Sequence, residues 1–525
     1  MMAEETVVIS RSEYEELKSE NARLAQALIH LQEQIRLANK QRFGRSSEQS
    51  KYACAGEQLS MDMLFNEPEV ITDIAPTPAE PELTTVKAHK RKKHATNEEK
   101  LPEDAEIEVV TLELPADERV CPQCGEEMRE IGEEVTRKLK IVPAKIVVVE
   151  THRKTYACRN CEENDITTPV KTAPAQPSFL PGSMCLPEAV AYIMTQKFVM
   201  YSPLYRLEQE FARMGIPLLR QTMSSWLINA TRRYLTPVYE RLKARLLQED
   251  ILHADETTLQ VLNEPGREAG QKSYMWLYRT GRESKGPIVI YEYQQTRKAE
   301  NPKRFLSGYA GYLHTDGYAG YHDLSKEIIV VGCWAHARRK FDEALNVVSP
   351  ADRASSKVMK GKRYCDALFA IEDKWNAMPP EERTIKRKEL SEPILREFHA
   401  WLESVYPAPK SAFGRAVAYT LEQWPYLTNY LLDGRLEISN NRAERSIKPF
   451  VMGRKNFLFA NTPSGANTSA VIYSLIETAK ENALDPYRYL TWLMTDAPSL
   501  DMTLACQVES LLPDNAPDDC RTRGN

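Results

Sequence analysis

"DILHADETTLQVL", residues 250–262, is the stretch on which the fold turns. It reads as a strand, and "SYMWLYRT" (273–280) and "PIVIYEYQ" (287–294) follow as two more β-rich runs at hairpin spacing. Asp255 lies inside the first of these strands. A carboxylate there is costly to bury unless something positive joins it.

Working outward, a helix-like segment around 298–309 precedes "GYLHTDGYAGY" (311–321), and "EIIVVGCWAHARRKF" (327–341) supplies another buried strand. The order β-β-β-α-β-α-β predicts a ribonuclease H-like α/β core, a mixed sheet flanked by helices. In that layout Asp316 closes the fourth strand, which neighbours the first, so Asp255 and Asp316 can face each other. Magnesium, a hard ion that prefers oxygen ligands, is the natural counter-charge. A third carboxylate is then expected from a later helix. "SNNRAERSIKPFVMGRKN" (439–456) offers Glu444 among the cations Arg442, Arg445, Lys448, Arg454 and Lys455. Asn440 or Asn441 is the expected N-cap, Pro449 the expected stop, and Glu444 falls mid-helix. Pairing with Lys448 at i+4 is the plainer account of that acid.

Upstream, Leu17, Asn21, Leu24, Leu28, Leu31, Ile35 and Ala38 keep a heptad rhythm, which predicts a coiled coil over 10–50 and hence an oligomer. Residues 51–104 read as a linker holding the basic knot "KAHKRKKH" (87–94), either a phosphate contact or a solvated charge run. "VCPQCG" (120–125) and "YACRNC" (156–161) flank a β-rich segment with Pro143 near its middle. Cys121, Cys124, Cys158 and Cys161 predict a structural zinc ribbon over 105–170, since a redox pair would explain only one CxxC at a time. Cys54, Cys185, Cys333, Cys365, Cys506 and Cys520 show no ligand spacing and read as core or incidental thiols. Residues 184–246 are helical in pattern, broken at Met214-Gly215. That is a helix-turn-helix layout or a plain αα-hairpin, its second helix starting near Arg220 with Gln221, Thr222, Ser224 and Ser225 leading.

The bulk composition is that of a multidomain globular protein: 525 residues, 42% hydrophobic, 27% charged, net charge -5. The charge excludes a uniformly basic nucleic-acid binder but not local basic surfaces. No apolar run is long enough to predict a membrane span, and no signal peptide is evident, so a cytoplasmic protein is expected.

"HADETTLQVL", "TDGYAGY", "CWAHARRKF", "NNRAERSIKPFVMGRKNFLFANTPSGA" and "YSLIETAKENALDPYRYL", in this order, resemble the DDE transposases of the insertion-sequence-sixty-six family nearly end to end. The resemblance stops at about Asp501. It implies Asp255, Asp316 and Glu444 as catalytic acids holding two magnesium ions for 3′-end cleavage and strand transfer. It also implies a catalytic domain over 250–484 with a helical insertion at about 343–430, then a C-terminal helix and tail (485–525). His336, Arg338, Arg339, Arg442, Arg445, Arg454 and Lys455 are expected along the DNA track, with Gln221, Thr222 and Ser225 in the helix-turn-helix. Element ends and target DNA, a second protomer at least, and small accessory proteins of the element are the implied partners, in a bacterial nucleoid setting. Ser439 stands where the family usually has an acid. Two other readings remain: a catalytically inactive transposase-derived DNA-binding protein, and a ribonuclease H-like nuclease that cuts without joining.

Overall fold

The computed structural model describes residues 145–157, 170–175, 177–375 and 377–522, and the single positions 15, 18, 20, 109 and 123. The chain divides into two units, residues 63–152 and the remainder. Within the first unit, the described stretch 145–152 is exposed and without regular secondary structure. Of the expected coiled coil only positions 15, 18 and 20 are described, and these are helical. The linker and the four zinc-ribbon cysteines lie outside the described residues.

In the second unit, β1 (Thr155–Ala157) pairs antiparallel with β2 (Val170–Thr172). The second expected zinc knuckle falls between these strands in sequence. Helices α1 (Pro187–Phe198), α2 (Leu204–Arg213) and α3 (Arg220–Ala230) follow, and a π turn over Thr231–Leu235 joins α3 to α4 (Thr236–Leu246). Gly215, at φ 83°, makes the turn between α2 and α3, a conformation that costs glycine little. The break and the start at Arg220 are where the sequence placed them.

The centre is a five-stranded sheet in the order β5-β4-β3-β6-β7. Strands β3 (Ile251–Gln260), β4 (Lys272–Thr280) and β5 (Val289–Gln294) form an antiparallel meander. The short helix α5 (Glu300–Phe305) then leads to β6 (Gly311–His314), parallel to β3, and β7 (Ile328–Val331) lies parallel to β6. First and fourth strands of the core are therefore neighbours, as the ribonuclease H-like reading requires. The expected helix between β6 and β7 is only a 3-10 turn at Ala319–Tyr321. Two glycines, Gly317 and Gly320, fall in a connection too short to repeat a helical face.

Helices α6 (Trp334–Leu345), α7 (Lys357–Lys374), α8 (Glu392–Ser404) and α9 (Ala412–Glu422) come next. They close a second apolar core around Trp334, Phe341, Leu368, Phe398 and Leu427. Ser356 and Ser411 cap α7 and α9 by accepting from Met359 N and Gly414 N, a local start signal legible in sequence. Helix α10 (Asn441–Phe457) returns to the sheet and packs on β3 and β4, and α11 (Pro463–Glu481) packs on β5. Pro449 does not stop α10 but sits inside it. The lost N–H bond costs about 3 kcal/mol, and buried Ile447, Phe450 and Gly453 on the same helix offset it by packing.

Both sheet edges carry bonds from flanking segments. Along β5, Val289 N donates to Thr478 Oγ1 (3.0 Å) and Tyr291 N to Ser474 Oγ (2.8 Å), both on α11. Beside β7, Gly332 N donates to Tyr426 O, and Asn429 Nδ2 to Val330 O. The residues after α12 (Pro486–Asp496) fold back onto α4. Arg241 and Arg245 pair with Glu509, Arg245 also with Asp514 (2.9 Å), and Tyr489 OH donates to Leu511 O. Cys185, Cys333, Cys365 and Cys520 are buried free thiols and Cys506 is exposed.

Candidate active site

The register of β3 and β6 builds the site. His253 is the partner of His314, and their rings stack with centroids 4.3 Å apart and planes at 9°. Each histidine is followed two residues later by an aspartate. With a side-chain period of two, Asp255 and Asp316 continue the same face of neighbouring parallel strands. Asp316 lies just past the end of β6 rather than within it. Its Oδ1 accepts from Tyr318 N (3.0 Å), its carbonyl accepts from Tyr419 OH (3.0 Å), and Gly317 takes φ 91° to allow the turn. A Cβ on Gly317 would stand 2.9 Å from both Tyr419 Oη and Gln423 Oε1. Gly317→Ala is expected to cost about 1–2 kcal/mol of stability through the positive φ. Melting curves of the two proteins check it.

Glu444 arrives from α10 and, because that helix continues to Phe457, lies in its first turn rather than mid-helix. The positive end of the helix dipole favours a carboxylate there. The residue before the helix, Asn440, is fully buried and makes no side-chain cap. Its Nδ2 donates to Ala254 O (2.8 Å), and its Oδ1 accepts from His253 Nδ1 (2.9 Å). Glu437, shortly before it, lies 3.0 Å from His253 Nε2 and accepts from Arg442 Nε (2.7 Å). Burial opposes ionisation of Glu437, but His253 and Arg442 hold its carboxyl well below the usual range. Burial and then His253 push the His314 imidazole well below its ordinary value.

Burial, then the charges of Glu256 and Asp316, push the Asp255 carboxyl well above the usual range, with Glu444 adding to the effect. The three acids thus share one field. Glu444 faces His336 (Nε2 to Oε1, 3.6 Å) and Arg339 (3.5 Å), and its Oε1 is buried without a hydrogen-bond partner. Among the described residues no three His, Cys, Asp or Glu side chains are gathered into a ready cluster for a metal. Hard carboxylate oxygens, mutual repulsion and a buried Glu444 oxygen that accepts no hydrogen bond nevertheless fit a divalent cation.

Glu256, which the sequence reading passed over, faces away from α10. It accepts from Arg297 Nε (2.8 Å) and Tyr321 OH (2.8 Å), and Arg297 lies 3.9 Å over the Tyr318 ring. Burial and Asp316 push Glu256 upward, against Arg297. The expected DNA-track cations separate into two sets. Arg338 pairs with Asp366 (2.5 Å), Arg442 with Glu437, and Arg454 donates to Thr257 Oγ1 (3.1 Å), Thr258 O and Thr258 Oγ1. Arg339, Arg445 and Lys455 are exposed, as are Gln221 and Ser225 on α3, while His336 and Thr222 are partly buried.

Residues 182–468 match the family model of the IS66 transposases, a DDE catalytic domain. The chain belongs to the IS66, or insertion-sequence-sixty-six, transposase family. Residues 118–162 match the zinc-finger binding domain of transposase IS66, and residues 30–110 the model described as transposase C of IS166 homeodomain. Residues 474–513 match the IS66 C-terminal element, so the likeness runs on past Asp501, where the motifs alone had ended. The uncharacterized protein y4jD of Sinorhizobium fredii is 34% identical over 418 residues, covering 77% of this chain and 79% of its own. The uncharacterized protein y4qI of the same organism is 30% identical over 518 residues, covering 95% and 90%. A chain of the Drosophila P element transposase strand transfer complex aligns with TM-score 0.34 and 13% identity, over 56% of this chain and 92% of its own.

An IS66 DDE transposase acts in transposition of its insertion sequence. The catalytic domain implies a divalent metal, the zinc-finger domain implies zinc, and transposition implies DNA binding. Among the described residues no helix is long and apolar enough to cross a membrane. One signal for this transposase's site lies outside the single motifs used above, in their repetition: "HAD" at 253–255 and "HTD" at 314–316 repeat one His-x-Asp spacing, with the two histidines paired across β3 and β6 and Asp316 just past the end of β6.

Proposed function

We propose that this transposase frees the 3′ ends of its element and joins them to target DNA by direct phosphoryl transfer, with Asp255, Asp316 and Glu444 as the catalytic acids. The observation that carries this reading is the β3–β6 register, which sets Asp255 beside Asp316 while α10 brings Glu444 into the same field. The three acids would hold two magnesium ions, which would supply Lewis-acid activation of the attacking oxygen and charge stabilisation of the departing one. Asp255 and Asp316 supply fixed oxygens from the sheet, and Glu444 supplies an oxygen from a helix N-terminus. Arg339, Arg445 and Lys455 take the DNA backbone nearest the acids, with His336 at the rim. Arg338, Arg442 and Arg454 contribute positive field from their intramolecular pairs.

The remaining parts serve DNA-end capture. Cys121, Cys124, Cys158 and Cys161 hold structural zinc in a ribbon over 105–170, and a coiled coil over 10–50 pairs protomers. Gln221, Thr222 and Ser225 lead the second helix of a DNA-contacting region at 184–246. The helical insertion at about 343–430 interrupts a catalytic domain running over 250–484. The protein works on the bacterial nucleoid, at least as a dimer, with small proteins of the same element as accessories.

The test uses labelled duplexes carrying the ends that flank the gene, a target plasmid and full-length protein, with magnesium or with chelator. Joined products that need magnesium and vanish in Glu444→Gln are expected. Cleaved ends that never join would replace the reading with a nuclease, and binding without cleavage in any metal would replace it with a DNA-binding protein.

A further inference from the structure

The buried junction around Asn440 has a shape that helix capping does not explain. Its side chain caps nothing, yet it is fully buried and both ends of its amide are used on β3. Nδ2 takes the carbonyl of Ala254, the residue immediately before Asp255, and Oδ1 takes His253 Nδ1, two residues before it. The main chain of the same residue reaches two further parts of the site. Its N–H donates to Cys333 Sγ (3.1 Å), the residue that opens α6 with His336 and Arg339, and its carbonyl accepts from Glu444 N (3.2 Å). Trp334 N, donating to Ile438 O (3.1 Å), repeats the tie between α6 and this segment.

We propose that Asn440 is a positioning residue that fixes Glu444 relative to Asp255, so that the three carboxylates meet a metal ion in one geometry. The chemistry is specific to the amide. Ala254 O can only accept, and with Nδ2 turned to it the remaining amide oxygen faces the His253 N–H. Aspartate at this position keeps the size and the acceptor but sets oxygen against the Ala254 carbonyl. Alanine leaves both β3 partners without their bonds. Because the amide binds main chain on one side and a ring stacked on His314 on the other, its loss removes the tie that holds the start of α10, where Glu444 sits, in register with His253 and Ala254, while Arg454 still holds the far end of the helix on β3.

This inference rests on the three-acid reading, so the experiment separates the two. The probe is terbium ion, titrated by luminescence into full-length protein without DNA, for native, Asp255→Asn, Asn440→Ala, Asn440→Asp and Thr478→Ala proteins. Thr478 is an equally buried hydrogen-bonding side chain at the far edge of the sheet, and its variant reports the effect of lost stability alone. Asn440→Ala and Asn440→Asp are each expected to weaken the Asp255-dependent terbium site about tenfold or more, the usual scale for groups that orient metal ligands. Thr478→Ala is expected to leave it unchanged. In end joining, the magnesium needed for half-maximal rate should rise for the Asn440 variants by a similar factor, with much of the rate recovered at high magnesium. If alanine prevents folding, the isosteric aspartate still tests the tie to Ala254. Native-like terbium affinity in both Asn440 variants would overturn the proposal, as would an equal loss in Thr478→Ala. Terbium binding that survives Asp255→Asn would sink the three-acid reading instead, and this inference with it.

Discussion

Asp255→Asn transposase is expected to join no DNA ends above background and yet to melt at a higher temperature than the native protein in chelator at pH 7. The loss of joining should reach at least about a thousandfold, roughly 4 kcal/mol of transition-state stabilisation, because the carboxylate offers the hard oxygen that an amide replaces poorly. The gain in stability follows from burial and from the crowd of acids, Glu256 and Asp316 first, that push its carboxyl well above the usual range. A raised carboxyl binds a proton in the folded state that it gives up in the unfolded one. Ionising it therefore destabilises the fold as pH rises above the ordinary aspartate value of about 3.9. The advantage of the asparagine should grow as pH rises above that value and shrink as pH falls toward 4. Melting curves across that range, taken with chelator, decide it: a variant no more stable than native at pH 7 would mean that the acids do not strain one another.

Arg387→Ala should be the most destabilising single change in the helical part. Arg387 lies between the short helix Pro380–Lys386 and α8, fully buried. Its guanidinium makes a two-pronged pair with Glu372 (2.8 and 2.7 Å). It also donates to the carbonyls of Tyr430, Asp433 and Leu436, each within 2.8 Å. Removing it strands a half-hidden carboxylate and three acceptors, at a cost of about 3–5 kcal/mol. The carbonyls belong to the segment that leads into Glu437, Asn440 and Glu444, so joining activity should fall below what the loss of folded protein explains. Urea unfolding gives the first quantity, and activity per folded molecule gives the second. Arg387→Ala combined with Glu372→Leu should recover part of the stability, because the uncompensated charge is gone, but little of the activity.

How far the site was legible follows from where its information lies. Asp255 could be placed because the strand around it is written in local pattern. Asp316 could be set beside it because consecutive strands in this order leave few alternatives. Glu444 is legible as the third acid only through the family resemblance, because local pattern leaves pairing with Lys448 as the plainer account. The start of α10 was legible, but its length was not. Pro449 is an ordinary stop signal, and packing of Ile447 and Phe450 on the sheet overrides it. The fold-level order predicts a helix where the chain makes only the 3-10 turn Ala319–Tyr321, because three residues are too few to carry a helical pattern of their own. Asn440 could be named as a cap but not as a tie, since its partners at His253 and Ala254 are 187 and 186 residues away. No local rule reports a bond of that span.

The hydroxyls of Ser474 and Thr478 on the outer rim of the sheet bear on how copies of this transposase can meet. A bare strand margin is a template on which another chain can polymerise, and here part of each margin is taken: Val289 and Tyr291 amides of β5 by hydroxyls, the Val330 carbonyl of β7 by Asn429. A strand-mimicking peptide would have to displace those bonds. A second protein chain that met this transposase would therefore find helix faces and segments outside the sheet more open to it than the strand margins, and the five strands would keep one frame whether the protein is alone or bound.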